Sequence, residues 1–147
     1  MQGVAVNIVN YSTNPLPSYA TAGSAGLDLR ANLDTALTLQ PMQRYLVPTG
    51  LFIELPEGYE AQIRPRSGMA IRQGITCLNS PGTVDSDYRG ELKVILINLS
   101  DSDQVILHGD RIAQMIITQT ARAELVLVQQ LSGSMRGEGG FGHTGVK

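Results

Sequence analysis

The chain has 147 residues, of which 42% are hydrophobic and 16% are charged. This balance is typical of one folded domain with an adequate core and excludes an intrinsically disordered chain. The formal net charge of −2 gives no overall positive field, so we expect no nucleic-acid partner.

Two further features concern the cellular setting. The sequence has no apolar run of about 18 residues, and its N-terminal residues lack the pattern of a signal peptide. We therefore expect a cytoplasmic protein with no membrane partner. Cys77 is the only cysteine, which rules out an internal disulfide, and its apolar neighbours predict a small buried residue.

Apolar residues recur at every second position, which is typical of strands, and no amphipathic helix of about ten residues is found. The strand-like runs lie at 27–31, 52–55, 59–64, 75–78, 92–99, 105–118 and 123–131. Many short strands without βαβ units predict an all-β antiparallel sandwich, jelly roll or barrel over residues 1–131.

The first segment that could bind a ligand is AGSAGLDLRA at 22–31. Asp28 lies between Leu27 and Leu29, so its carboxylate points to the opposite face of the strand. Such a carboxylate either contacts the water shell of a metal or faces solvent.

The second segment is RPRSGMA at 64–70. Pro65 keeps Arg64 extended, and Ser67 is expected to cap a short helical turn. Free N–H groups at a helix start, a hydroxyl, a glycine and an adjacent Arg66 together favour an anion site. An ordinary capped turn is the alternative.

The third segment, NSPGTVDSDYRGEL at 79–92, lies between two apolar runs. Pro81-Gly82 predicts the tip of a β-hairpin. Two carboxylates, Asp85 and Asp87, stand beside Tyr88, and a plain solvated turn has no need of that tyrosine. The segment indicates a functional loop, with an acidic surface turn as the alternative.

The fourth segment is GDRIAQMI at 109–116. Gln114 is expected to share a strand face with Ile112 and Ile116, where its amide needs a partner. A neighbouring backbone group or a ligand phosphate could supply it. We interpret Asp110 and Arg111 as a structural ion pair.

The last segment, 132–147, contains six glycines in sixteen residues and is set apart from the domain. Arg136 and Phe141 stand in it, so a flexible arm that closes over a ligand is predicted, with a disordered terminus as the alternative. His108 and His143 do not have the spacing of zinc ligands, and no Walker loop or GxSxG motif occurs.

Taken in order, these segments resemble the five motifs of the homotrimeric dUTP diphosphatases (dUTPases). The matching stretches are AGLDLRA at 25–31, RPRSGMA at 64–70, NSPGTVDSDYRGEL at 79–92, GDRIAQMI at 109–116 and RGEGGFGHTG at 136–145. The resemblance implies a distorted β jelly roll that forms a homotrimer, with active sites at subunit interfaces and the arm closing over a neighbouring subunit's site. It also implies hydrolysis of dUTP to dUMP and diphosphate with Mg²⁺ as cofactor, which keeps uracil out of DNA and supplies dUMP for thymidylate synthesis.

The resemblance also implies roles for individual residues. Asp85 resembles the catalytic carboxylate that activates the attacking water, and Tyr88 the ring beneath the deoxyribose. The expected contacts to uracil are Asn79 and the backbone of Gly82, Thr83, Val84 and Asp85, with Lys93 as a further substrate contact. The expected contacts to phosphate are Arg66, Ser67, Gly68, Gln114 and Arg136. Phe141 resembles the ring that stacks on uracil, with Gly142 beside it.

Two points qualify the resemblance. His143 stands where a serine is more usual. The phosphate contact that a serine side chain would make is therefore left to backbone N–H groups. The Mg²⁺ ion is expected to be held mainly by the triphosphate, with Asp28 contacting it through water. The alternatives are a dCTP deaminase-like enzyme and a non-catalytic dUTP-binding regulatory module.

Overall fold

The structure, a computed structural model, describes residues 3–146. Within them it has ten strands and one short helix. In chain order these are β1 (Asn7–Asn10), β2 (Leu27–Arg30), β3 (Leu37–Leu39), β4 (Arg44–Glu54), β5 (Tyr59–Arg64), α1 (Ser67–Gln73), β6 (Ile75–Cys77), β7 (Gly82–Val84), β8 (Glu91–Asn98), β9 (Gln104–Ile106) and β10 (Arg111–Gln119). The predicted all-β class is confirmed, with the helix as a minor element.

Two four-stranded sheets form the body of the protein. Their strand orders are β1-β4-β8-β6 and β2-β10-β5-β7, and β3 and β9 form a separate pair. All these pairings are antiparallel. Because most sequence neighbours lie in different sheets, the chain crosses repeatedly between them, which brings distant motifs together.

The core follows the predicted alternation. In β8, Leu92, Val94, Leu96 and Asn98 are all buried. Asn98 is tolerated there because its amide is fully paired: Nδ2 donates to two backbone carbonyls, and Oδ1 accepts hydrogen bonds from the N–H and hydroxyl of Ser100.

The strand β4 is longer than the predicted run at 52–55. The added part contains Pro48 and Gly50, which are both unfavourable inside a strand. The structure accommodates them in an irregularity of the β4–β8 ladder between Pro48 and Phe52, where Gly50 adopts a φ of +71°. Similarly, the run predicted at 105–118 is two strands, since residues 107–110 form a turn in which Asp110 Oδ2 accepts the Leu107 N–H.

The prediction of a strand at 123–131 is wrong. These residues have no regular secondary structure and are exposed, with Leu125 and Leu127 at 93% and 100%. The alternating apolar pattern is present, but a strand also needs a neighbour for its backbone groups, and this chain provides none within the described residues.

Two smaller observations complete the fold. Cys77 is buried at the end of β6, as predicted, and burial raises the pKa of its thiol to about 11. No helix within residues 3–146 is long and apolar enough to cross a membrane.

Candidate active site in two clefts

One cleft of about 340 Å³, which we call the arginine cleft, lies between β2, the start of α1 and β10. Its polar lining consists of Ser24, Asp28, Arg64, Arg66, Ser67, Arg111 and Gln114, with Gly26 and Gly68 beside them. Pairing of β2 and β5 with opposite edges of β10 brings the motifs at 25–31, 64–70 and 109–116 together. The cleft therefore contains Asp28 and the phosphate-binding residues predicted from the main domain.

Asp28 organises the positive charge of the arginine cleft. Its Oδ1 lies 2.9 Å from Arg66 Nε, and its Oδ2 lies 3.3 Å from Arg111 Nη1. The predicted Asp110–Arg111 ion pair is wrong, because Asp110 caps the 107–110 turn and Arg111 reaches across to Asp28. One carboxylate thus holds two guanidinium groups at the cleft.

The start of α1 differs from the prediction in one detail. The helix begins at Ser67, its N-cap residue is the extended Arg66, and no side chain caps it. Ser67 is therefore not the capping residue. The first N–H groups of a helix have no intrahelical partner, so the exposed Ser67 hydroxyl and this first turn remain available to an anion.

Gln114 lies on the cleft side of β10, but Ile112 does not share its face. A register shift between Arg111 and Ala113 turns Ile112 into the core, while Ile116 remains beside Gln114. Gln114 Nε2 donates to the Pro65 carbonyl over 3.0 Å. Of the two partners considered from the sequence, the structure therefore shows the backbone carbonyl. This hydrogen bond links β10 to the loop that precedes α1.

A second cleft of about 400 Å³, the hairpin cleft, is formed by the segment between β6 and β8. It is lined by Leu46, Asn79, Thr83, Val84, Asp85, Tyr88, Glu91, Leu92, Lys93 and Ile95. β6 and β8 are antiparallel neighbours, as the hairpin prediction requires. The tip is not at Pro81-Gly82, however, because Gly82 starts β7, which pairs with β5 in the other sheet.

The turn of this segment is at Asp85–Tyr88, where the Tyr88 N–H donates to the Asp85 carbonyl. Asp85 is exposed, and its carboxylate enters no salt bridge and no side-chain hydrogen bond within residues 3–146. Tyr88 is half-exposed, and its hydroxyl donates to the Glu91 carbonyl over 3.0 Å. A free carboxylate beside an anchored aromatic ring is suited to orient a water next to a bound ligand.

The two clefts of one chain have no lining residue in common. The predicted phosphate contacts of the main domain therefore gather in one cleft, and the predicted base and sugar contacts, apart from the buried Gly82, gather in the other. The arm residues Arg136, Phe141 and Gly142 line neither cleft. Arg136 Nε instead donates to the Gly139 carbonyl over 2.7 Å, and the Phe141 ring is fully exposed.

A family model described as dUTPase matches residues 12–145. This chain belongs to the dUTPase family. Among curated relatives, the deoxyuridine 5'-triphosphate nucleotidohydrolase of Cytophaga hutchinsonii is 60% identical over 141 residues, covering 96% of this chain and 92% of the relative. The enzyme of the same name from Fusobacterium nucleatum is 53% identical and covers 99% of both chains.

The dUTPase fold is also found by comparison with solved structures. A mutant dUTPase of Staphylococcus bacteriophage 80alpha, solved with dUpNHpp, has a TM-score of 0.88 at 24% identity, covering 97% of this chain and 99% of that chain. A mutant dUTPase of phage phi11 of S. aureus, described as coordinating a structural Mg(II) ion, has a TM-score of 0.78 at 19% identity, covering 88% of this chain and 99% of that one. At these identities the similarity supports the fold.

Sequence reasoning missed several residues at this dUTPase-family site. Arg111 was assigned to the wrong partner, because the register shift that directs it toward Asp28 leaves no mark in a hydrophobic pattern. Leu46 and Ile95 face each other across the β4–β8 ladder and border the hairpin cleft. The opening of β4 was not recognised as a strand, so nothing in the pattern pointed to Leu46.

Proposed function

We propose that this protein hydrolyses dUTP to dUMP and diphosphate through attack of water on the α-phosphorus. The observation that carries the proposal is the exposed Asp85 carboxylate, which has no side-chain partner within residues 3–146, beside the anchored Tyr88 ring in a chain of the dUTPase family. The water oxygen bonds to the α-phosphorus, the bond from that phosphorus to the α,β-bridging oxygen breaks, and diphosphate leaves.

Asp85 is the general base in this proposal. It orients the water and accepts its proton as the new P–O bond forms, a role worth roughly 10²–10⁴-fold in rate. A carboxylate that no other side chain of residues 3–146 engages is free to accept that proton, which supports the assignment. It would also accept a hydrogen bond from the 3′-hydroxyl of the sugar.

Base and sugar are recognised in the hairpin cleft. Asn79 and the backbone of residues 82–85 read the polar edge of uracil, and cytosine is rejected because its donors and acceptors are reversed there. Tyr88 lies beneath the deoxyribose and excludes a 2′-hydroxyl. Lys93 is a further contact on β8, where its Nζ lies 3.6 Å from Glu91 Oε2.

The triphosphate is bound by the arginine cleft, through Arg66, Ser67, Gly68 and Gln114, and by Arg136 of the arm. Within residues 3–146 no three His, Cys, Asp or Glu side chains are grouped to hold a metal. That fits a Mg²⁺ held mainly by the substrate phosphates. Each oxygen of Asp28 retains a lone pair beyond its arginine contact, which suits a hydrogen bond from metal-bound water. When bound, Mg²⁺ neutralises charge on the phosphate oxygens.

We infer that the active site is completed in a homotrimer. The residues proposed to contact the nucleoside and those proposed to contact phosphate line separate clefts of one chain, so joining one subunit's hairpin cleft to a neighbour's arginine cleft would give a single site. The exposed apolar segment 123–131 offers a contact surface for such a neighbour. The arm at 132–147 then closes over the site of a neighbouring subunit.

In this proposal the reaction takes place in the cytoplasm. It removes dUTP, which keeps uracil out of DNA, and it supplies dUMP for thymidylate synthesis. The chain is assigned no nucleic-acid and no membrane partner.

Diphosphate release from dUTP, dTTP, dCTP and UTP in the presence of Mg²⁺ tests the proposal. Turnover restricted to dUTP is expected. Asp85→Asn should lower kcat by about 10²–10⁴-fold with little change in dUTP binding. Asp87→Asn, two residues further along the same turn, is the matched control and should retain activity.

Three results would contradict the proposal in different ways. Ammonia release from dCTP would indicate the deaminase alternative. Tight dUTP binding by the wild type without turnover would indicate a regulatory module. Full activity of Asp85→Asn would remove Asp85 from the mechanism while leaving the reaction in place.

A further inference from the structure

The Tyr88 ring lies directly across the α-carbon of Gly90. A Cβ built on Gly90 would come within 2.5 Å of Tyr88 Cζ and closer still to the hydroxyl oxygen, so the half-exposed ring would have to shift. The backbone of Gly90 is not in the left-handed region, so its glycine is required for space rather than for conformation. Any larger residue at this position would displace the ring.

The hydroxyl end of Tyr88 is fixed by the next residue. It donates to the Glu91 main-chain carbonyl over 3.0 Å. The phenol is therefore held by two neighbours along the chain, one beneath its outer end and one at its hydroxyl. We call Gly90 and Glu91 the tyrosine seat.

The Glu91 side chain ties this seat to the opposite strand. Its Oε1 accepts the N–H of Gly50 over 2.9 Å, within the irregular part of β4. Nearby, the buried Thr49 hydroxyl donates to the Leu92 carbonyl. These bonds fix the beginning of β8, and with it the carbonyl that Tyr88 uses.

We propose that Gly90 and Glu91 are positioning residues that set the preference for deoxyribose over ribose by fixing the Tyr88 ring. The inference rests on the proposed function, in which Tyr88 lies beneath the sugar. Neither residue is assigned a contact with the nucleotide. They act through the Tyr88 ring. The ring can exclude the 2′-hydroxyl of ribose only if it is held in place and cannot move away from the sugar.

The test is the ratio of kcat/KM for dUTP to kcat/KM for UTP. Gly90→Ala should lower this ratio roughly tenfold or more, because displacement of a positioning group by about 1 Å is costly. Glu91→Ala should lower it in the same direction. Glu91→Gln should keep the ratio close to that of the wild type, since the amide oxygen still accepts the Gly50 N–H.

A double-mutant cycle separates action through the ring from a general structural effect. In a Tyr88→Ala background, adding Gly90→Ala should leave the ratio unchanged. Val94→Ala, which leaves a cavity in the buried part of the same strand, should lower the free energy of unfolding without changing the ratio.

Each failure has a separate meaning. If Tyr88→Ala leaves the ratio unchanged, the proposed role of Tyr88 is wrong. If Tyr88→Ala lowers the ratio and Gly90→Ala does not, the proposed positioning role of the tyrosine seat is wrong. The seat is likewise overturned if Gly90→Ala lowers the ratio equally in both backgrounds.

Discussion

Arg66 combines a structural contact with the proposed binding role. Its ion pair with Asp28 is partly exposed, and such pairs contribute at most about 1 kcal/mol to the free energy of unfolding. Hydrogen bonds from a guanidinium to phosphate are individually stronger and geometrically defined. Loss of Arg66 should therefore affect substrate far more than stability.

We predict that Arg66→Ala lowers kcat/KM for dUTP by about 10- to 100-fold while the free energy of unfolding changes by less than about 1 kcal/mol. Steady-state kinetics and urea denaturation measure the two effects. Arg44→Ala, at the exposed start of β4, is the matched control and should change neither. Equal losses of activity in the two variants would count against the arginine cleft as the binding site for the triphosphate.

Cys77 gives a prediction about pH. Burial raises the pKa of its thiol from 9.0 to about 11, so between these values the unfolded chain releases a proton that the folded chain keeps. Stability from this residue is complete below pH 9 and is lost as the pH rises through 11, by at most about 3 kcal/mol.

Urea denaturation at pH 8 and at pH 10.5 checks this. The wild type should lose more stability over that interval than Cys77→Val, which has no thiol to ionise, and the difference isolates Cys77 from other alkaline groups. An equal or larger loss in the variant would contradict the buried-thiol assignment.

At the scale of elements, the arm is the segment whose role depends most on a partner. Phe141 is fully exposed, its φ is +49°, and within the described residues its ring has no apolar partner. Stacking of such a ring on a base is worth about 1–3 kcal/mol. The proposed closure would therefore supply the contact that this ring lacks in the single chain.

Phe141→Ala should weaken dUTP binding by about 5- to 150-fold, which is the same 1–3 kcal/mol expressed as affinity. Calorimetric titration of dUTP into Asp85→Asn protein, with and without the Phe141 change, measures it without turnover. Val146→Ala, also exposed in the arm, should bind as before. Unchanged affinity in the Phe141 variant would exclude stacking by this residue.

Strands with strict alternation, such as β2, β5 and β8, were predictable because one face of each is buried by the chain's own core. The first part of β4 was not predictable from the sequence. Pro48 and Gly50 fit into this strand only because its ladder with β8 is irregular. The segment 123–131 carries the right pattern but forms no strand, because pairing depends on a neighbour as well as on sequence. The predicted site followed the same division: the motifs pointed to residues that the fold gathers in two clefts, while the contact of Arg111 with Asp28 depends on a register shift that the sequence does not reveal.

At the scale of the whole molecule, the separation of the two clefts predicts a result for mixed subunits. In a shared-site homotrimer, an Asp85→Asn chain still provides an intact arginine cleft, and an Arg66→Ala chain still provides an intact hairpin cleft. Random mixing of equal amounts should place both intact halves together in roughly a quarter of the sites.

Mixing the two impaired variants under exchange or refolding conditions, followed by measurement of dUTP turnover, tests this. Activity in the mixture should rise well above that of either variant alone. A mixture of Asp85→Asn with Asp85→Asn,Arg66→Ala is the control and should gain no activity. A mixture of the single variants that also gains none would mean that one chain provides the whole site.

The exposed segment 123–131 also bears on how copies of this protein assemble. A segment that leaves one copy and docks on the next makes a head-to-tail contact, and such contacts close into a ring only when the rotation between copies divides a full turn. Any other rotation produces an open fibre. The few residues at 120–122, which set the direction in which the segment leaves β10, would then decide between a finite enzyme and an endless polymer.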